Sequence, residues 1–169
     1  RTNAPIRAAM KATQTIPIVM LNGNFPVEDG LVMSLARPGG NVTGVASARG
    51  ELSGKLVSLL REIAPRMGSV ALLADANDPG HRFALGHYQA AARVLGLALV
   101  PIPVARHADV EPGLVAYRKQ GGRMLVVVAS SMLIPRSVAD LALKHQLALA
   151  STTPSYAYEG GLMAYAEDW

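Results

Sequence analysis

Along the chain, short continuous apolar runs alternate with longer stretches in which apolar residues recur every three or four positions. This is the pattern of strands and helices in turn. The runs predict strands at 16–21 (IPIVML), 69–74 (SVALLA), 98–104 (ALVPIPV), 124–129 (MLVVVA), 148–151 (ALAS) and 162–166 (LMAYA). Runs of this kind suit strands buried on both faces, as in a parallel sheet covered by helices on each side. The prolines at 101 and 103 place the 98–104 strand at an edge, since proline donates no ladder hydrogen bond. MLVVVA has no such interruption and reads as a central strand.

Between the runs, helical spacing predicts helices. Val27, Leu31 and Leu35 imply one, with Glu28 and Asp29 in its first turn and Pro38-Gly39-Gly40 as its stop. Leu52, Leu56, Leu59, Leu60 and Ile63 form an apolar stripe over 51–63. Ala84, Tyr88, Ala91, Ala92 and Leu95 carry a third helix to Gly96, with Asp78 as its N-cap and Pro79 at its first position. Further helices are expected from a cap at Asp109 to Lys119, over 136–145 with Val138, Leu141 and Ala142 inward, and as a short turn over 155–159. Positions 4–13 read as the end of a βα unit and 162–166 as a final strand, so the expectation is a fragment of a larger α/β protein.

Composition adds exclusions. Of 169 residues half are hydrophobic, enough to bury a core. The net charge of +4 comes from scattered Lys and Arg, and with only five Tyr, two Phe and one Trp there is no obvious base-stacking platform, so nucleic acid is not an expected partner. The absence of cysteine excludes disulfides and a thiol nucleophile. His81, His87, His107 and His145 lack metal-ligand spacing, and neither a metal nor another cofactor is expected. The string GELSGKL at 50–56 only superficially matches a phosphate-binding loop: its glycines are too close, Leu56 stands where Ser or Thr holds magnesium, and no strand precedes it.

In open α/β sheets, ligands sit beyond the carboxyl ends of strands, near the point where strand order reverses. That rule selects Asn22-Gly23-Asn24-Phe25, Asp75-Ala76-Asn77-Asp78, Ser130-Ser131-Met132 and Thr152-Thr153-Pro154-Ser155-Tyr156. Hydroxyls, amides and one or two carboxylates suit reversible binding of a small polar molecule, with Phe25, Met132 and Tyr156 as apolar walls. Each group also has a structural reading. Asp75 either accepts a ligand amine or orders its own loop by an Asx turn; Asp78 either caps a helix or contacts ligand. Thr152 and Thr153 either contact ligand or cap the turn that follows, and Asn22 and Asn24 either contact ligand or serve turn geometry. Ser130 and Ser131, directly after a buried strand, read as contacts.

The run GLVMSLARPGGNVTGV at 30–45, with ELSGK at 51–55 and DANDP at 75–79, resembles the substrate-binding proteins of a large bacterial ABC-transporter family. The resemblance implies two Rossmann-like lobes of parallel βα units, periplasmic-binding-protein-like of type I, closing on a small ligand. On that frame, 1–45 is part of an incomplete first lobe, 46–160 the second lobe and 161–169 a crossover back, with closure about 41–46 and 161–167. The implied function is solute capture for an ABC permease outside the cytoplasm, without chemistry on the ligand, which is an amino acid or similar molecule. That class of role carries over to Asp75, Asn77, Ser130, Ser131, Thr153 and Ser155, and from the first lobe to Asn24 and Phe25. Phe25 stands where relatives usually carry an acidic residue, and Asp75-Ala76 where they commonly read Asn-Pro. Two alternatives stay open: an enzyme on a flavodoxin-like or Rossmann-like sheet, with Asp75 or a hydroxyl as catalyst, and the effector-sensing half of a transcription regulator. A sheet edge left unpaired predicts a homodimer that covers it.

Overall fold

The computed structural model describes residues 3–167, which fall into two compact units divided between Arg49 and Gly50. In the first unit, helix α1 (Ala4–Ala12) precedes two parallel strands, β1 (Ile18–Gly23) and β2 (Val42–Ala46), paired from Ile18↔Val42 to Gly23↔Ala46. Met20, Val32 and Val42 are buried, with Ile6, Met10 and Ile18 packed against them, so the α1 side of the strands is the apolar one inside. Alternation along β1 sends Val19 and Leu21 to the surface. Asn41 ties the entry of this pair together: its side-chain amide donates to the carbonyls of Thr13 and Ile16 at 3.3 and 2.8 Å, and its own carbonyl accepts from Ile18.

The helix expected from Val27, Leu31 and Leu35 does not form. Its place is taken by one turn that Gly30 stops at a φ of +68°, with the Gly30 N–H donating to Val27 and the Leu31 N–H to Pro26. That pair of bonds is a Schellman closure, which satisfies the turn's carbonyls and sends the chain away from the helical path. Leu31 and Val32, adjacent residues, are then buried together while Leu35 is exposed, a pattern no helix face produces.

The second unit is a five-stranded parallel sheet in the order β4-β3-β5-β6-β7, made of β3 (Ser69–Asp75), β4 (Ala98–Val104), β5 (Met124–Val127), β6 (Ala148–Ser151) and β7 (Met163–Ala164). β4 is at the edge, as its prolines require, and β5 lies inside. Side chains alternate between two cores. Val70, Leu72, Met124, Val126 and Ala150 meet α2 (Arg49–Ile63) and α3 (His81–Val94) through Leu56, Val57, Leu60, Tyr88 and Ala92. Ala71, Leu73, Leu125, Val127 and Leu149 meet α4 (Val110–Lys119), α5 (Pro135–Lys144) and α6 (Ser155–Tyr158) through Leu114, Tyr117, Val138, Ala142 and Tyr156. The expected α/β class with helices on both faces of a parallel sheet is therefore present. Ile63, assigned to the inward stripe of its helix, is 56% exposed, and Ser53 and Val57 are buried in its stead, because the buried face of α2 runs Ser53–Leu56–Val57–Leu60. Among the described residues no helix is long and apolar enough to cross a membrane.

α4 and α5 are joined at their exposed side by Glu111, whose Oε1 lies 2.8 Å from both Lys144 Nζ and His145 Nε2. These hydrogen bonds, Lys144 first, hold the Glu111 carboxyl below its ordinary value of 4.5. A depressed carboxylate pKa contributes stability that is present above the unfolded value and lost as pH falls through the folded one. Denaturant midpoints measured on acidification below 4.5 are expected to fall less steeply in Glu111→Gln than in the parent.

Candidate functional site

The sheet of the second unit starts at β3, steps outward to β4, then crosses back to β5, so strand order reverses between β3 and β5. This is the 2-1-3-4-5 order, whose ligand crevice lies at the carboxyl ends of the two strands flanking the reversal. Because all five strands are parallel, the loops after β3, β5 and β6 leave the same edge, and these are the loops bearing Asp75, Asn77, Ser130, Ser131, Thr153 and Ser155.

Each loop is built by its own polar groups. Asp75 ends β3 opposite Val104; its Oδ1 accepts the Asn77 N–H at 2.9 Å, an Asx turn, and Oδ2 has no hydrogen-bond partner among the described residues. The Asn77 side-chain amide donates to the Ala105 carbonyl at 2.9 Å, anchoring the turn to the exit of β4. Asp78 is not the N-cap of α3. Its Oδ1 accepts the Gly80 N–H at 2.8 Å and closes another Asx turn, so the helix begins two residues past Pro79, at His81, with Gly80 in the cap position.

After β5, the Ser130 hydroxyl accepts the N–H groups of Met132 and Leu133 at 3.3 and 3.4 Å, curling the chain toward α5. Ser131 is exposed. His107 clamps this loop: its two ring nitrogens lie 3.2 Å from the Met132 carbonyl and 2.7 Å from Ser137 Oγ.

After β6, the buried Ser151 donates from Oγ to the Val127 carbonyl at 2.9 Å and accepts the Thr153 N–H at 3.2 Å, joining the ends of β5 and β6 in one contact. Pro154 occupies the cap position of α6 with no side-chain capping bond, so Thr152 and Thr153 do not cap it. The hydroxyls of Ser131, Thr153 and Ser155 have no hydrogen-bond partner among the described residues. Tyr156, expected as a pocket wall, is instead 1% exposed in the core, its hydroxyl donating to the Leu133 carbonyl at 2.6 Å; burial raises its pKa above the ordinary 10.0.

In the first unit, Asn24 and Phe25 follow β1. The Asn3 side chain pairs with the backbone of Asn24, accepting its N–H at 3.1 Å and donating to its carbonyl at 2.7 Å. Phe25 is buried at a φ of +48°, a left-handed conformation rare for a bulky residue. The loop is held by Asp29, whose carboxylate accepts from Asn3 at 2.8 Å and from Arg7 at 2.7 Å. A cavity of about 240 Å³ within this unit is lined mainly by Met20, Val32, Leu35, Pro38 and Ala46 and carries no charged group. It lies below the range usual for ligand pockets.

Asn3, Arg7, Asp29, His107 and Ser151 were not among the expected site residues. Ser151, the one polar residue in an otherwise apolar strand, carried a readable signal; the others act across 21 to 30 positions of sequence, which no local pattern reports. No group of three or more metal-ligating side chains occurs among the described residues.

A doubly wound sheet whose switch-point loops offer hydroxyls, an amide and a carboxylate defines the class of α/β modules that hold small molecules at a sheet edge. Residues 4–168 match the model of the ABC transporter substrate binding protein family, and the chain belongs to that family. It is 37% identical over 73 residues to the tyrosine-binding protein of Clostridioides difficile (strain R20291), a stretch covering 43% of this chain and 20% of that protein. Its fold is shared with the crystal structure of a conserved domain protein from Vibrio cholerae O1 biovar El Tor, at a TM-score of 0.77 and 24% identity over 92% of this chain and 52% of that one. A Streptococcus pneumoniae ABC domain in complex with L-Trp superposes with a TM-score of 0.76 at 19% identity, over 90% of this chain and 51% of that one. The chain thus spans about half the length of these solved chains and a fifth of the curated relative.

Proposed function

We propose that the chain is the ligand-capturing part of an ABC transporter's solute-binding component, which holds an amino acid or similar small polar molecule outside the cytoplasm and releases it unchanged to a membrane permease. The observation that carries this reading is the set of loops after β3, β5 and β6, which leave one parallel sheet edge around its switch point. Asp75 Oδ2 is the acceptor for a ligand ammonium; Ser130 shapes its loop while Ser131, Thr153 and Ser155 offer hydroxyls, and Asn77 fixes the Asp75 turn. The relatives' printed ligands, tyrosine and L-Trp, support amino acids as the class. One copy of the chain is all this reading requires.

A thermal-shift screen of the full-length protein against amino acids tests it. A ligand at a hundredfold excess over its Kd stabilises by about 2.7 kcal/mol. The expected outcome is a shift with at least one amino acid, recovered chemically intact. In Asp75→Asn, loss of the charge-assisted hydrogen bond is expected to weaken Kd by about 10- to 100-fold. No shift with any amino acid, or recovery of an altered compound, overturns the proposal.

A further inference from the structure

The cations that are scattered along the sequence are gathered by the fold. In the second unit every helix-to-strand connection arrives at the amino edge of the parallel sheet, and the neighbouring strands β4, β3 and β5 begin nearly level, with Ser69 opposite Ala98 and Ala71 opposite Leu125. The connections that feed these three strands carry Arg93, then Arg66, then Lys119 and Arg123. All four side chains are exposed, and none has a hydrogen bond or ion pair among the described residues. Arg61 and Arg118, held on the carbonyls of Met67 and His145, add their charge to the same edge. Across the last helical turns and loops at 60–68, 91–97 and 116–123 the one carboxylate is Glu62, which accepts from the Ser58 hydroxyl. Two large apolar side chains stand among the free cations: Val94, next to Arg93, is 85% exposed, and Ile63, three residues before Arg66, is 56% exposed. Basic residues in a last helical turn offset the helix dipole, which accounts for Arg93 and Lys119. Arg66 and Arg123 lie beyond the ends of α2 and α4, out of that role, and a dipole gives no reason for Val94 and Ile63 to stand in water beside them.

We propose that this amino edge is a docking surface for anionic phospholipid headgroups; the proposal rests on the reading above that the protein works beside a membrane permease. Adjacent strands lie about 4.8 Å apart, so the three strand starts span about 10 Å, comparable to a Debye length, and their cations act on a charged surface together. Arg and Lys reach outward on long apolar stems to a layer of phosphates, while Val94 and Ile63 enter the boundary between headgroups and acyl chains, the combination of apolar contact and basic charge that holds a protein on an anionic bilayer. An acidic protein would pair cations one by one at fixed geometry. Four side chains on three separate loops, with no bonds of their own to fix them, suit a fluid array of phosphates instead. The switch-point loops leave the opposite edge of the sheet, so a unit docked in this way keeps them turned toward the solution from which solute arrives. The contact is reversible and salt-dependent, as release to the permease requires.

Co-sedimentation of the full-length protein with vesicles of phosphatidylcholine alone, and of phosphatidylcholine mixed with phosphatidylglycerol, tests the proposal. The parent is expected to partition at least about tenfold more strongly onto the anionic vesicles. Raising NaCl from about 0.1 to about 1 M, which shortens the Debye length from about 10 to about 3 Å, is expected to abolish that difference. Combining Arg66→Gln, Arg93→Gln, Lys119→Gln and Arg123→Gln is expected to remove it as well, with melting temperature unchanged, since none of the four has a partner in the fold. Removing the same charge elsewhere, by Lys11→Gln, Arg37→Gln, Lys55→Gln and Arg82→Gln together, is expected to leave most of it. Val94→Ser is expected to weaken partitioning while keeping its salt dependence. Equal partitioning onto both kinds of vesicle, or equal losses in the two combined variants, overturns the docking surface. Binding of soluble polyglutamate as tight as that of anionic vesicles, lost in the first variant, assigns the edge to an acidic protein and overturns the lipid assignment. Any of these results with amino-acid thermal shifts intact leaves solute capture standing, whereas vesicle binding without a shift for any amino acid overturns solute capture alone.

Discussion

Gly44→Ala is expected to separate β1 from β2 and to destabilise the first unit by about 3–5 kcal/mol, in the range reserved for a few severe mechanisms. Gly44 pairs with Met20 in the parallel ladder at a φ of +130°, a conformation that L side chains rarely adopt. A Cβ at this position would lie 2.0 Å from the Met20 carbonyl oxygen and 2.8 Å from its nitrogen. Both contacts are to backbone, so no rotamer change relieves them. The strands must move apart, and the ladder that joins Ile18 to Val42 and Val19 to Thr43 opens. Amide exchange of β1 and β2 residues reads the effect directly. Gly54→Ala is the control: nothing lies within 4 Å of its added methyl, and in mid-helix the change is expected to stabilise by about 0.5–1 kcal/mol. Equal protection in parent and Gly44→Ala would show that the close approach is not rigid.

What the sequence made legible follows from how local each signal is. The runs SVALLA, after its first residue, and MLVVVA, throughout, are apolar, and each lies between helices in the sheet, so burial on both faces was encoded residue by residue. Pro101 and Pro103 placed β4 at an edge through a missing donor, a property the residue carries wherever it stands. The failures share the opposite character. Val27, Leu31 and Leu35 satisfied helical spacing, yet Gly30 closed the turn after one cycle, and a competing local motif overrode periodicity. Asp78 lies directly before a proline, the usual start of a helix, but its carboxylate found the Gly80 N–H first. In the second unit, the loops after β3, β5 and β6 leave one edge because a parallel sheet forces them there. The division of labour within them was hidden. Ser151, His107 and Tyr156 each reach residues more than twenty positions away, and a sequence shows the donor without its acceptor.

Tyr156 makes that difference measurable. As a pocket wall it would tolerate truncation with a cost paid mainly in affinity; in the structure its ring is among the largest fully buried side chains and packs in the core with Leu133, Val138 and Leu149. Tyr156→Ala is therefore expected to destabilise the second unit by about 3–5 kcal/mol through the cavity it leaves. Tyr156→Phe keeps the ring but strands the Leu133 carbonyl, which accepts the phenol at 2.6 Å, and is expected to cost about 1–3 kcal/mol. The hydroxyl has a second signature at high pH. Burial raises its pKa above the ordinary 10.0, so between the unfolded and folded values the folded chain retains a proton that the unfolded chain has released. Stability then falls as pH rises above 10.0, and urea midpoints followed across that range are expected to decline more steeply in the parent than in Tyr156→Phe. If both variants kept the parent's midpoint while losing ligand affinity, the ring would belong to the ligand's surroundings and not to the core.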